Sequence, residues 1–137
     1  KTRETADHSL PYCTAVALMD GDVTLDSFDA AHLGNQRLLD LVSKISIHRS
    51  AHHTERYPRG IPNTLTITLN DGRQLTKEVE FPRGHAGNPM TDQEVEHKFR
   101  AMVTPRCGAE RVKQMLDRLW KLEDVTKAGD LIALFNE

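Results

Sequence analysis

Apolar residues fall in short blocks along this chain, and the spacing within each block points to an element. Positions 13–19 are almost continuously apolar. Pro11 precedes them in a first turn, where a missing N–H costs nothing, and Gly21 follows, so the pattern predicts a helix over 10–20. Thr24 can cap a short helical stretch with Leu25 and Phe28 on one face. Leu38, Leu39 and Val42 mark a further helix over 36–43, after Gly34. The period then changes. Ile45 and Ile47 alternate with polar neighbours, which predicts a strand over 44–48, and the polar stretch 49–63, with Pro58, Gly60 and Pro62, reads as a loop.

The strongest pattern is a hairpin over 64–81, in which Thr64, Thr66 and Thr68 alternate with Leu65, Ile67 and Leu69, and Leu75, Val79 and Phe81 lie on the return strand. Parity decides the turn. A two-residue Asp71-Gly72 turn sets Ile67 against Thr76 and so opposes an apolar face to a polar one. A three-residue loop of Asn70, Asp71 and a left-handed Gly72 sets Ile67 against Leu75 and aligns the apolar faces. The three-residue loop is therefore expected, with Thr66, Thr68, Glu78 and Glu80 on the polar face.

Beyond the hairpin, 82–90 is irregular. Thr91 and Glu94 form a capping box before a helix whose stripe is Val95, Phe99 and Met102, and Pro105 and Gly108 are expected to end it. Val112, Met115, Leu116, Leu119 and Leu122 define an amphipathic helix over 109–122, and Leu131, Ile132 and Phe135 a short last one. This order gives an α+β fold, a small antiparallel sheet (the hairpin plus the strand near 44–48) with helices packed on one face.

Composition narrows the function classes. The 137 residues suit one domain with a real core. A formal net charge of -2 and 5% aromatic residues supply neither the basic footprint nor the stacking platform that nucleic acid requires. No apolar run approaches the roughly 20 residues of a membrane span, so no membrane partner is expected. Cys13 and Cys107 belong to no CxxC pair and read as free thiols of a reducing, cytoplasmic setting.

Four clusters could carry chemistry. Asp7, His8, Ser9 and Tyr12 crowd the start of the first helix, where unpaired N–H groups and the helix dipole attract a carboxylate or phosphate and where an imidazole and a phenol could orient it or move a proton. Simple helix capping accounts for the same residues. His48, His52 and His53 have partial metal-ligand spacing, but no acidic or thiol ligand completes it, so no metal is expected. In 82–90, Arg83 and His85 could donate to an anion while glycines let the backbone approach it, although neither a P-loop nor a dinucleotide fingerprint is present. A plain strand-to-helix connection needs no ligand. Trp120, beside the stripe of the 109–122 helix, fits core packing or a docking surface.

Taken together, Glu4-Thr5-Ala6-Asp7-His8-Ser9-Leu10-Pro11-Tyr12, Ala15-Val16-Ala17-Leu18-Met19-Asp20-Gly21, the hairpin end Val79-Glu80-Phe81-Pro82-Arg83-Gly84-His85, and Asn88-Pro89-Met90-Thr91 resemble the C-terminal region of the MmgE/PrpD family. That family includes 2-methylcitrate dehydratase and is similar to cis-aconitate decarboxylase. The resemblance implies a larger lyase, a homodimer when intact, with its active site between a helical domain and an α+β lid and with no metal or organic cofactor. Residues 1–91 would then be a partial lid domain, and 92–137 helices that pack on an N-terminal helical domain outside this chain. It further implies that His8 and Tyr12 are catalytic and that Asp7 and Ser9 bind a small tricarboxylate or dicarboxylate, with the principal acid-base residues in the helical domain; Arg83 and His85, read above as donors to an anion, are expected to bind the same substrate. The implied reaction is dehydration of 2-methylcitrate or a related hydroxy-tricarboxylate. Decarboxylation or epimerisation of a related acid passes through similar carbanion-like species and stays open, as does a non-catalytic assembly module docking through the hairpin edge and Trp120.

Overall fold

The computed structural model describes residues 2–136 and divides into two compact units, Lys1–Ala51 and His52–Glu137. The first unit is helical. A short helix α1 (Arg3–Asp7), capped by Thr2 in a box with Thr5, leads through His8 and Ser9 into α2 (Leu10–Asp20). The latter matches the predicted span. Ser9 caps it, and Gly21 ends it with a left-handed φ of 84°. A 3-10 turn (Asp26–Phe28), α3 (Ala30–Leu33) and α4 (Gln36–Val42, capped by Asn35) follow. Ala6, Tyr12, Ala15, Val16 and Leu38 form the buried centre, with Phe28, Leu33, Leu41, Val42 and Ile45 packed around it.

The strand expected over 44–48 is not there. Lys44 and Ile45 donate their N–H groups to Leu41 and Val42, extending the last turn of α4, and Ile45 thereby joins the core. The alternation of Ile45 with Ile47 records one partly buried and one exposed residue after a helix end, and among the described residues no strand lies alongside to pair with them.

The stretch read as a loop over 49–63 holds α5 (Ala51–Arg56), all but the first residue of which belongs to the second unit. His53 and Arg56 occupy its last turn, where positive charge suits the helix dipole, and both reach the hairpin. The hairpin itself is β1 (Asn63–Thr68) and β2 (Gln74–Val79). Its register sets Ile67 opposite Leu75, the loop spans Asn70, Asp71 and Gly72, and Gly72 takes a φ of 87°, all as parity required. The expected helical cover on the apolar face is absent from this unit, where Leu65, Leu75 and Val79 stay exposed, Leu75 at 54%. What reaches the hairpin is α5, on the opposite, polar face, where Glu78 pairs with Arg56 and His53 and accepts from Thr64 at 3.2 Å.

Helix α6 (Asp92–Cys107) opens with the predicted Thr91–Glu94 box but runs through Pro105, and only Gly108 stops it. A proline this near the C-terminal end forfeits one backbone hydrogen bond while the rest of the turn persists. Helix α7 (Ala109–Leu119) buries Val112, Met115 and Leu116 and packs on α6. It ends at Leu119, three residues short of the expected end at 122, and the indole N–H of the following Trp120 donates to Glu96 at 2.9 Å. A second 3-10 turn (Leu122–Asp124) and α8 (Ala128–Ala133) close the described chain. Among the described residues no helix is long and apolar enough to cross a membrane.

Candidate functional site

His8 sits in the joint between α1 and α2. Its Nδ1 lies 2.6 Å from the Asp7 carboxylate and 3.0 Å from the Glu4 carbonyl. Both neighbours only accept, so Nδ1 carries the proton and, in the neutral ring, Nε2 keeps its lone pair. The ring is 85% exposed, so that lone pair faces outward. The hydrogen bond His8 donates to Asp7, then the one it donates to the Glu4 carbonyl, raises the imidazole above its ordinary range. An imidazole oriented by a carboxylate through Nδ1, with Nε2 free, has the form of a general base.

Tyr12 is placed differently. Its ring is 1% exposed and tilts against Phe28, and its hydroxyl donates to the Ser27 carbonyl at 2.7 Å. Burial, with Asp29 adding to it, raises the phenol. The single proton of that hydroxyl is used within the core of the first unit. Ser9 accepts from the Tyr12 N–H at 3.3 Å, and its own hydroxyl proton remains available. Pro11 has no N–H and Cys13 donates to the Ser9 carbonyl, so Leu10 alone in this first turn keeps an N–H without a partner among the described residues. Capping has taken most of what the helix start could offer an anion. Both cysteines are free thiols, and burial raises that of Cys13.

In the second unit, Arg83 and His85 lie on a tightly closed turn. The Arg83 guanidinium grips both oxygens of Glu94, with Nε at 2.8 Å from one, and donates to Asn88 Oδ1 at 2.8 Å. Glu94 also accepts from the Thr91 N–H and hydroxyl, each at 2.8 Å. Arg83 first, then Thr91, lowers this carboxyl to about 2. The charge of Arg83 is thus largely spent on the start of α6. His85 stacks on Phe81 and accepts the Gly87 N–H at Nδ1.

Sequence reasoning missed Ser27 and the Glu94 partnership with Arg83. The Thr24–Ser27 spacing was the available signal for the first, because Ser27 Oγ accepts the Thr24 N–H at 3.0 Å and fixes the turn whose carbonyl Tyr12 uses. For the second, a capping-box glutamate with an arginine eleven residues upstream gives no periodic signal. Of the histidines of the connection, His53 serves the hairpin, with Nε2 at 3.2 Å from the Thr64 hydroxyl, while His48 Nε2 lies 3.0 Å from the Ser46 hydroxyl and His52 Nε2 3.4 Å from Arg56. Among the described residues no group of three or more His, Cys, Asp or Glu could hold a metal.

The chain matches the MmgE/PrpD C-terminal domain over residues 1–122. It is 25% identical over 129 residues to cis-aconitate decarboxylase of Mus musculus, covering 94% of this chain and 26% of that protein. It is 33% identical over 138 residues to a 2-methylcitrate dehydratase-like protein of Aspergillus oryzae, covering 94% of this chain and 28% of that one. A probable 2-methylcitrate dehydratase of Saccharomyces cerevisiae is 37% identical over 84 residues, 58% of this chain and 16% of its own. The chain thus spans about a quarter of the length of the first of these relatives.

Proposed function

Because this chain belongs to the MmgE/PrpD family, as its C-terminal domain, we propose that it forms part of a lyase that dehydrates 2-methylcitrate or a related small hydroxy-tricarboxylate. The observation that carries the reading is the Asp7–His8 pair, an outward-facing imidazole whose Nδ1 proton is held by a carboxylate at 2.6 Å, inside the stretch that matches the family. Dehydration removes a proton from a carbon next to a carboxylate and expels a hydroxyl that must leave protonated. His8 Nε2 can carry such a proton, and Asp7 keeps the ring in the tautomer that does so. The Ser9 hydroxyl and the Leu10 N–H can donate to a substrate carboxylate at the start of α2. Arg83 retains N–H groups beyond those given to Glu94 and Asn88, and with His85 is assigned to carboxylate binding. Tyr12 secures the Ser27 turn, and a direct part in the reaction requires its proton to leave the Ser27 carbonyl. Further acid-base groups, and the remainder of the substrate site, are assigned to an N-terminal helical domain.

Decarboxylation of cis-aconitate or a similar acid is the second reading, favoured because relatives named cis-aconitate decarboxylase, from Mus musculus and Homo sapiens, align along 94% of the chain. The experiment is turnover of the intact enzyme on a panel of di- and tricarboxylates, 2-methylcitrate and cis-aconitate among them. Water loss from 2-methylcitrate supports the first reading, carbon dioxide release from cis-aconitate the second, and turnover of neither sinks both.

A further inference from the structure

Resting on the reading that the intact enzyme handles carboxylates, we infer that the turn 81–91 is built to present the His85 Nε2–H as a fixed, neutral donor to one substrate carboxylate oxygen, with Phe81 and Gly87 as its positioning residues. The tautomer follows from one contact. The Gly87 N–H donates to His85 Nδ1 at 3.0 Å, and a backbone N–H can only donate, so Nδ1 holds a lone pair and the proton of the neutral ring is on Nε2.

The orientation follows from another. The imidazole lies against the Phe81 ring with centroids 5.0 Å apart and planes 27° apart. Gly87 is what allows the two to meet, since a Cβ at that position would stand 2.8 Å from Phe81 Cγ. Glycine is thus required here for approach to an aromatic ring. The turn beneath is closed by Gly84 N–H to Asn88 O (2.9 Å), His85 N–H to Pro82 O (3.0 Å) and Asn88 N–H to His85 O (2.8 Å), while the Asn88 side-chain amide donates to Phe81 O at 3.1 Å. Arg83, the neighbouring cation, is neutralised by Glu94. Nε2 alone of the ring atoms is left without a partner among the described residues, on a half-buried side chain. This is the reverse of His8, whose ring donates inward and offers a lone pair outward: His8 suits proton transfer, and His85 suits holding an oxygen still.

The test uses the intact enzyme labelled with 15N-histidine. Two-bond nitrogen–proton correlation spectra should show His85 as the Nε2–H tautomer and its Nε2 signal moving on titration with citrate. Gly87→Ala, which drives a methyl group into the Phe81 ring, should mix the tautomers. In turnover, His85→Gln keeps an N–H near the Nε2 position and His85→Asn places one near Nδ1. The asparagine variant should raise KM roughly tenfold or more, the size expected for a lost hydrogen bond to a charged group. The glutamine variant should recover most of that loss, with kcat changed less than KM in both. A dominant Nδ1–H tautomer, an Nε2 signal indifferent to citrate, or equal KM for the two variants overturns the inference. Should the wild-type enzyme act on none of the acids, the functional reading fails by itself, and the tautomer and citrate spectra still decide this one.

Discussion

The Tyr12 hydroxyl donates to the Ser27 carbonyl at 2.7 Å and so joins the start of α2 to the 3-10 turn that precedes α3. Ser27 is 3% exposed, so water cannot replace that donor. Tyr12→Phe keeps the ring against Phe28 and strands the carbonyl, and should destabilise the chain by about 1–3 kcal/mol. Urea unfolding measures this directly, and an unchanged midpoint would show that the bond contributes nothing.

His8→Ala should have the opposite profile. The ring is exposed and its contacts are to its own joint, so stability should change little. Turnover of the intact enzyme should fall by roughly 10²–10⁴, the range for loss of a positioned proton carrier. Measured side by side, the two variants separate the stability contributed by the Tyr12 bond from the proton-carrying role proposed for His8.

The pH profile tests the same pair. Asp7 raises His8, and a base must be neutral to work, so the acidic limb of kcat/KM should lie above the ordinary imidazole range. Asp7→Asn removes the largest cause of that rise and should move the limb to lower pH. The linked stability runs the other way: the contact between charged His8 and Asp7 is fully present below the unfolded imidazole value and is lost as pH rises through the folded one. NMR titration of His8 in both proteins gives the two values, and coincident curves would remove Asp7 from the account.

How far the sequence could lead is visible in particular residues. Ser9, Pro11 and Gly21 bracket α2 by local chemistry, and the parity of Ile67 with Leu75 sets the hairpin register, so both were legible. Residues 44–48 misled because two isoleucines at alternate positions fit a strand and a helix end equally until their partners are known. Helix α5 was hidden because what places it is a tertiary ion pair, Arg56 with Glu78, 22 residues apart. At the candidate site, the types of Asp7 and His8 were readable, but the inward turn of Tyr12 depended on a carbonyl 15 residues on, and backbone acceptors carry no sequence signature.

His32 makes a second, independent pH prediction. Its Nδ1 lies 3.0 Å from Asp29 and its Nε2 3.3 Å from Asp20, so one imidazole links the end of α2 to the cap of α3. The hydrogen bond to Asp29 is the main cause of its raised value, and bonding to His32 holds the Asp29 carboxyl below its usual range. A raised imidazole contributes stability below its unfolded value and loses it as pH climbs through the folded one. A lowered carboxylate contributes above its unfolded value and loses it as pH falls. Both act together in mildly acidic solution. The stability difference between wild type and His32→Gln should therefore peak there and shrink towards alkaline pH, as read from urea unfolding across a pH series. A difference that is flat with pH would mean that the imidazole packs but does not pair.

The hairpin loop offers a test that leaves both units' cores untouched. Gly72 has a φ of 87° and nothing within 4 Å of where a Cβ would stand, so a substitution there meets backbone strain and no steric contact. Gly72→Ala should cost roughly 1–2 kcal/mol, the penalty of a left-handed conformation for an ordinary residue. Gly72→Asn should cost less, because asparagine tolerates that region. The two strands are largely exposed, so the loss should be local: amide exchange across the β1–β2 pairs should quicken roughly five- to thirtyfold in the alanine variant, with the Tyr12 and Val16 amides unchanged. Equal exchange in the alanine and asparagine variants would place the constraint outside the loop, in the tie from Arg56 to Glu78, and Arg56→Met should then loosen the strands instead.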